Sequence, residues 1–288
     1  MNKVLIFIAL LTITSSTNIY AQGTQKVTRA NKKQIEDFFN SKTMVVMDAN
    51  SLLSYNIVIR NAVDKYWTIT PYEVITSARF YELYKDPKLS FIFLSKVQLE
   101  RDKEEVHYLY MNIVMGANVN DITGLPELLS IPLAYTGVDE DSYVDKLPLI
   151  IRFAQIHINN LKTAKNPNKF HNLKSYNKDS KLLKDKTLLA HKDDLSEEVN
   201  TLEKIQKVYL GKVKIVDSEE IVKAIEEKTA NTAVLHQVSP GEEDNKGHSY
   251  CQIFGTDDAK LYYYNHQRIT KRRPVGMLAN DFRLIRWR

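Results

Sequence analysis

Short apolar runs alternate with longer stretches in which apolar positions recur every three to four residues, and this alternation passes along the chain twice. Lys42-Thr43-Met44-Val45-Val46-Met47 opens one series, and Lys186-Thr187-Leu188-Leu189-Ala190-His191 opens the other. A continuous apolar run of strand length marks a strand covered on both faces. In the first series, Ser54 to Tyr66 carries Ile57, Val58, Ala62, Val63 and Tyr66 at helical spacing. Tyr72 to Ile75 predicts a second strand and Ala78 to Tyr84 a helix stopped by Asp86-Pro87. Leu89 to Leu94 predicts the third strand, Val106 to Met115 its antiparallel neighbour, and Leu147 to Leu161 a long helix entered through Pro148. In the second series, Ser196 caps a predicted helix from Glu197 to Tyr209, followed by a strand at Lys212 to Val216. Ser218 caps a helix from Glu219 to Lys228, and Thr232 to Val238 is the third strand. Tyr250 to Phe254 and Leu261 to Tyr264 form a hairpin before a last helix, Val275 to Trp287, entered through Pro274.

Strands that alternate with helices pair in parallel through right-handed crossovers, and the hairpins make each sheet mixed. The expected fold class is α/β: two tandem Rossmann-like β-α-β-α-β-β-α units with mixed sheets, over 22–164 and 186–288. Asn31 to Phe39 predicts a short helix packed on the first unit. Ala117 to Tyr143, with a strand at Leu128 to Leu133, reads as an insertion absent from the second unit. Residues 165–185, rich in Lys and Asn and poor in apolar residues, read as an exposed basic linker.

The first 21 residues read as a signal peptide. Lys3 gives a positive start, Val4 to Ile13 is apolar but too short to cross a membrane, and Ile19-Tyr20-Ala21 suits cleavage. The expectation is a periplasmic or secreted protein with no transmembrane segment after cleavage. The single Cys251 cannot form an internal disulfide and falls in a predicted strand, so a buried thiol is expected.

Candidate chemistry is sparse. Only 9 glycines are present, and no Gly-rich loop follows the first strand of either unit. Such loops let backbone amides approach phosphate, so no nucleotide site and no cofactor are expected. In open α/β sheets, ligands collect at the carboxyl ends of the parallel strands. Asp48 lies there in the first unit. In the second, His191 and Asp193 follow the first strand and His236 ends the third. Neighbouring strands would bring these three together as imidazole and carboxylate ligands for a divalent metal. A second candidate is the cationic group Arg268, Lys271, Arg272 and Arg273, joined by Arg283, Arg286 and Arg288 against the single acid Asp281. It suits an anionic glycan or a lipid headgroup, since an exported protein rarely meets nucleic acid.

The stretch Asp64-Lys65-Tyr66-Trp67-Thr68-Ile69-Thr70-Pro71-Tyr72-Glu73-Val74-Ile75 resembles uncharacterised exported proteins of Bacteroidota. The order β-α-β-α-β followed by antiparallel strands is similar to periplasmic α/β domains of the TolB N-terminal and curli-channel (CsgG-like) kind. That likeness implies protein–protein roles in the cell envelope. The expected function is non-catalytic binding or scaffolding there, with an envelope protein as partner. The alternative is a metal-dependent hydrolase with its site at the strand ends of the second unit.

Overall fold

A computed structural model describes residues 20–21, 28–99, 106–240 and 246–287. The expected signal peptide lies outside the described residues except for Tyr20–Ala21 (β1). The first unit runs α1 (Lys32–Phe38), β2 (Lys42–Val46), α2 (Ser54–Tyr66), β3 (Tyr72–Ile75), α3 (Ser77–Leu83), β4 (Leu89–Val97), β5 (Tyr108–Met115), β6 (Glu127–Tyr135) and α4 (Leu147–Thr163). The second runs β7 (Thr187–Ala190), α5 (Leu202–Gln206), β8 (Lys212–Ile215), α6 (Ser218–Glu226), β9 (Thr232–Val238), β10 (His248–Gly255), β11 (Leu261–Arg268) and α7 (Ala279–Trp287).

The two sheets have the same strand order. It is β3-β2-β4-β5-β6 in the first and β8-β7-β9-β10-β11 in the second, with β1 pairing in parallel with the end of β4. In each sheet the first three strands are parallel and the last two antiparallel. The chain is therefore α/β, with two tandem mixed-sheet units. One expectation is corrected here. β6 is no insertion, because it occupies the place that β11 holds in the second sheet.

The long helix α4 buries Leu147, Leu149, Ile150, Ile151, Phe153, Ala154, Ile158 and Leu161, too wide a set for one face. It joins one apolar cluster with Val45, Ile92 and Ile131 of the first sheet and Leu189, Val234 and Phe254 of the second. The Phe153 and Phe254 rings meet edge-on at 5.3 Å. The units thus share a core. Burying one such ring contributes about 2–3 kcal/mol. On the outer faces, Phe80 of α3 packs on Met44, Val46, Phe91 and Phe93. Ile205 of α5 and Phe282 and Ile285 of α7 pack on Leu235, Cys251 and Ile253. Cys251 is buried, and burial pushes its thiol pKa well up.

Three helix boundaries differ from the sequence pattern. The stretch 197–209 breaks into a 3-10 turn, Glu197–Val199, and the short α5, because Thr201 is extended and its hydroxyl caps a fresh start at Lys204. Ser196 makes no cap bond, and its Oγ is buried without a partner. α6 is capped by Asp217 rather than Ser218. The last helix begins only at Ala279, since Gly276 at φ +87° is left-handed and cannot sit in a right-handed helix.

Residues 165–185 join the units, but they are not a loose tether. Leu173–Asp185 winds as a 3-10 segment that buries Leu173, Tyr176, Asn177, Ser180 and Leu183 and leaves its lysines outside. Asn177 acts as a substitute strand. Its Nδ2 donates to the Tyr264 carbonyl at 2.9 Å, and its Oδ1 accepts the Tyr264 N–H at 2.8 Å, closing the β11 edge. Among the described residues, no helix is long and apolar enough to cross a membrane.

Candidate functional site

At the carboxyl ends of β2 and β4, where the chain turns to opposite sides of β2, lies a cleft of about 690 Å3. This is the switch point at which open α/β sheets hold ligands. One wall is the loop Asp48–Leu53. Leu94 and Lys96 of β4 and Leu109 of β5 line the floor, and Val138, Glu140 and Tyr143 close the far side.

The sequence holds the loop through a chain of side-chain turns. Asp48 Oδ1 accepts the Asn50 N–H at 2.8 Å, and Asn50 Oδ1 accepts the Leu52 N–H at 3.2 Å. From α2, the buried Asn56 clamps the loop in both senses. It accepts the Asp48 N–H at 2.8 Å and donates to the carbonyls of Asp48 and Asn50. A loop fixed this way presents Leu52 at 90% exposure on the cleft rim, so the exposed leucine is held outward rather than simply loose.

Glu140 reaches the cleft from the turn after β6. The residue preceding α2 is Leu53, which has no capping side chain. Glu140 Oε2 supplies the cap instead, accepting the Ser54 N–H at 2.8 Å. Glu140 Oε1 is buried with no hydrogen-bond partner. Beside it, burial and then the Glu140 charge push the Tyr143 hydroxyl pKa upward. Tyr55, fully buried, has an unpartnered hydroxyl; burial, then neighbouring Tyr143 and Asp48, raise its pKa as well. Both phenols stay protonated at neutral pH. On the other side of the Asp48 loop, a second cleft of about 660 Å3 is lined by Met47, Arg60, Asn61 and Thr76.

The second unit arranges the equivalent strand ends differently. β7 does pair with β9, as the metal expectation required. His191, however, leaves the strand and caps a 3-10 turn, its Nδ1 accepting the Asp193 N–H at 3.4 Å. Its side chain is 36% exposed and that of Asp193 is 81% exposed. His236 lies fully buried beside the backbone of Pro132 and Leu133 in the first unit. Burial holds its pKa down at about 3, with Lys146 adding to the effect. The structure does not gather His191, Asp193 and His236 into one donor set. Among the described residues, no group of three or more His, Cys, Asp or Glu could hold a metal ion.

The cationic group is partly assembled. Lys271, Arg272 and Arg273 occupy an exposed tight turn closed by Thr270–Arg273 backbone bonds, with exposed Arg268 just before it. Asp281, the acid expected among them, is turned inward. It accepts from Tyr263, Asn265 and the Leu278 N–H. The turn is a solvated basic surface without an enclosing wall.

No protein family, curated protein or solved structure matches this chain. Among the cleft residues, Asp48 was visible in the sequence as a strand-end acid. Glu140 and Tyr143 were not, because only folding brings the turn after β6 over the α2 N-terminus.

Proposed function

We propose that the protein is an exported, non-catalytic binding or scaffold protein of the bacterial cell envelope that engages its partner at the β2/β4 cleft. The observation that carries this reading is a rigidly held loop presenting Leu52 beside an open switch-point cleft. An apolar side chain kept exposed by a hydrogen-bonded loop gives a partner an anchor. The cleft lining supports binding as well. Leu53, Leu94, Leu109 and Val138 offer apolar walls, while Asp48, Lys96 and Glu140 offer few, placed polar groups. Export rests on the apolar N-terminal pattern, and kinship with TolB-like or CsgG-like envelope domains is part of the same proposal.

The test is site-specific photocrosslinking in cells, with the reactive residue at Leu52 or, as control, at Leu210, which is 80% exposed on the second unit. A discrete adduct from position 52 in the envelope fraction, absent from position 210, is expected. No adduct at 52, or equal adducts at both, overturns the reading.

A further inference from the structure

The cleft floor has hydrogen-bond acceptors that nothing in the fold uses. Glu140 commits Oε2 to the Ser54 N–H and leaves Oε1 buried and unpartnered. Asp48 commits Oδ1 to the Asn50 N–H and leaves Oδ2 without a hydrogen bond among the described residues. The Tyr55 hydroxyl, fully buried, also has no partner, with Asp48 and Tyr143 as its charged and phenolic neighbours. Buried polar atoms are nearly always satisfied, so three lone acceptors around one cleft point to a missing donor.

The chemistry of that donor follows from the count. Asp48 and Glu140 against Lys96 leave the lining with a net negative charge. A group with several donors, no acceptor and a positive charge answers both features, and among common groups a primary ammonium has three N–H donors and no acceptor. An arginine-type guanidinium would need a planar, bidentate carboxylate. Here each carboxylate already has one oxygen engaged, which favours a compact point charge. The walls set the rest of the ligand. Leu53, Leu94, Leu109 and Val138 suit an aliphatic stem, as a lysine side chain has.

Resting on the reading of this cleft as a binding site, we propose that it captures a lysine-type side chain of the partner protein, with the ammonium held between Asp48, Glu140 and the Tyr55 hydroxyl. Glu140 serves the α2 N-terminus and the ligand at once, one oxygen for each.

The experiment titrates the purified full chain with Nα-acetyl-lysine methylamide, followed by ligand-observed NMR and calorimetry. The probes for comparison are Nα-acetyl-norleucine methylamide, the Nε-acetylated lysine analogue and 1,5-diaminopentane. Saturable binding of the lysine probe, at least tenfold weaker for the norleucine and Nε-acetyl analogues, is expected. Glu140→Gln keeps an acceptor for the α2 cap and removes the charge; Tyr55→Phe removes only the idle hydroxyl. Each should weaken the lysine probe several-fold while circular dichroism stays unchanged. Equal binding of norleucine, or lysine binding indifferent to both variants, overturns the proposal. Tighter binding of diaminopentane than of the lysine probe overturns the protein source of the ammonium. A position-52 adduct without amine binding defeats this inference and leaves the binding function standing; loss of both defeats both.

Discussion

Arg152 of α4 donates from Nη2 to the carbonyl oxygen of Asp257, at 2.8 Å, so a helix of the first unit is fastened to the β10–β11 turn of the second. Nη1 makes a matching bond to the Thr256 carbonyl. The same turn receives Lys186 Nζ on Asp257 Oδ1 at 2.7 Å, and this ammonium is largely buried. Polar bonds thus add direction to the shared apolar core.

Arg152→Ala should lower unfolding stability by about 2–3 kcal/mol, the range for losing charge-assisted hydrogen bonds at a half-buried site. Arg152→Lys should recover less than half of that, since a point charge cannot reach two carbonyls as the guanidinium fork does. Urea unfolding checks both. Midpoints should fall with an unchanged slope, and a midpoint equal to wild type for the alanine variant would show that the fork contributes nothing.

His157 of α4 is held in one tautomer by its neighbours. Its Nε2 lies 3.0 Å from the Leu128 carbonyl, which can only accept, so Nε2 carries the proton. Nδ1 then accepts from the Tyr176 hydroxyl at 3.0 Å, and that hydroxyl accepts from Asn160 Nδ2 at 3.2 Å. Tyr176 comes from the segment between the units, so this network ties that segment to α4. Tyr176→Phe strands the imidazole nitrogen and should cost about 1–3 kcal/mol. The expected signature is a lower melting temperature and faster proteolysis between 165 and 185. A variant as resistant as wild type would mean that the apolar contacts of Leu173 and Leu183 suffice.

Gly247 sits at φ +89°, and a Cβ there would come within 2.7 Å of both the Tyr108 and Tyr135 hydroxyls. Those hydroxyls each lie 2.9 Å from the His248 N–H, joining hairpins of the two units. Gly247→Ala combines a left-handed backbone with a clash against paired groups, and a loss of about 2 kcal/mol or more is expected. Thermal melting of the variant reads it directly. A change within about 0.5 kcal/mol, the range of an ordinary surface substitution, would show that the tyrosines can move apart.

The strands and inner helices were legible because burial on both faces writes continuous apolar runs, as in Thr232–Val238, and one-sided burial writes a helical period, as in Ser54–Tyr66. What failed was local competition and long-range company. Thr201 offered its own hydroxyl to the backbone and split a helix that periodicity alone would continue. In 165–185 the lysines outnumber the buried residues, so composition hid Leu173, Tyr176 and Leu183, which recur near the three-residue turn of a 3-10 helix. The metal trio failed because strand pairing fixes neighbours but not side-chain direction: His236 turns inward and His191 leaves the sheet. In the cleft, Asp48 could be placed by topology. Glu140 stood among ordinary loop acids, and nothing local marked it as the cap of a distant helix.

Asp194 follows the strand β7 and is held by backbone bonds, its N–H to the His191 carbonyl and its carbonyl to the Met277 N–H. Its Oδ2 is buried with no partner. Burial pushes its pKa up to about 6, against the opposing pull of Lys146 and His191. A carboxyl whose folded pKa is raised contributes stability that is complete below its unfolded pKa near 4 and is lost as pH rises through about 6. Glu127, raised to about 7 by burial, acts in the same direction. His157, lowered to about 4 by burial, acts oppositely, and its contribution is lost as pH falls from about 6.5. Wild type should therefore be most stable in a weakly acidic window. The difference between Asp194→Asn and wild type isolates one group. It should be near zero or unfavourable at pH 4 and grow in favour of the variant to at most about 3 kcal/mol by pH 8. Urea midpoints measured across that range decide it. A pH-independent difference would mean that Asp194 finds a partner when it ionises, with Lys146 the nearest candidate.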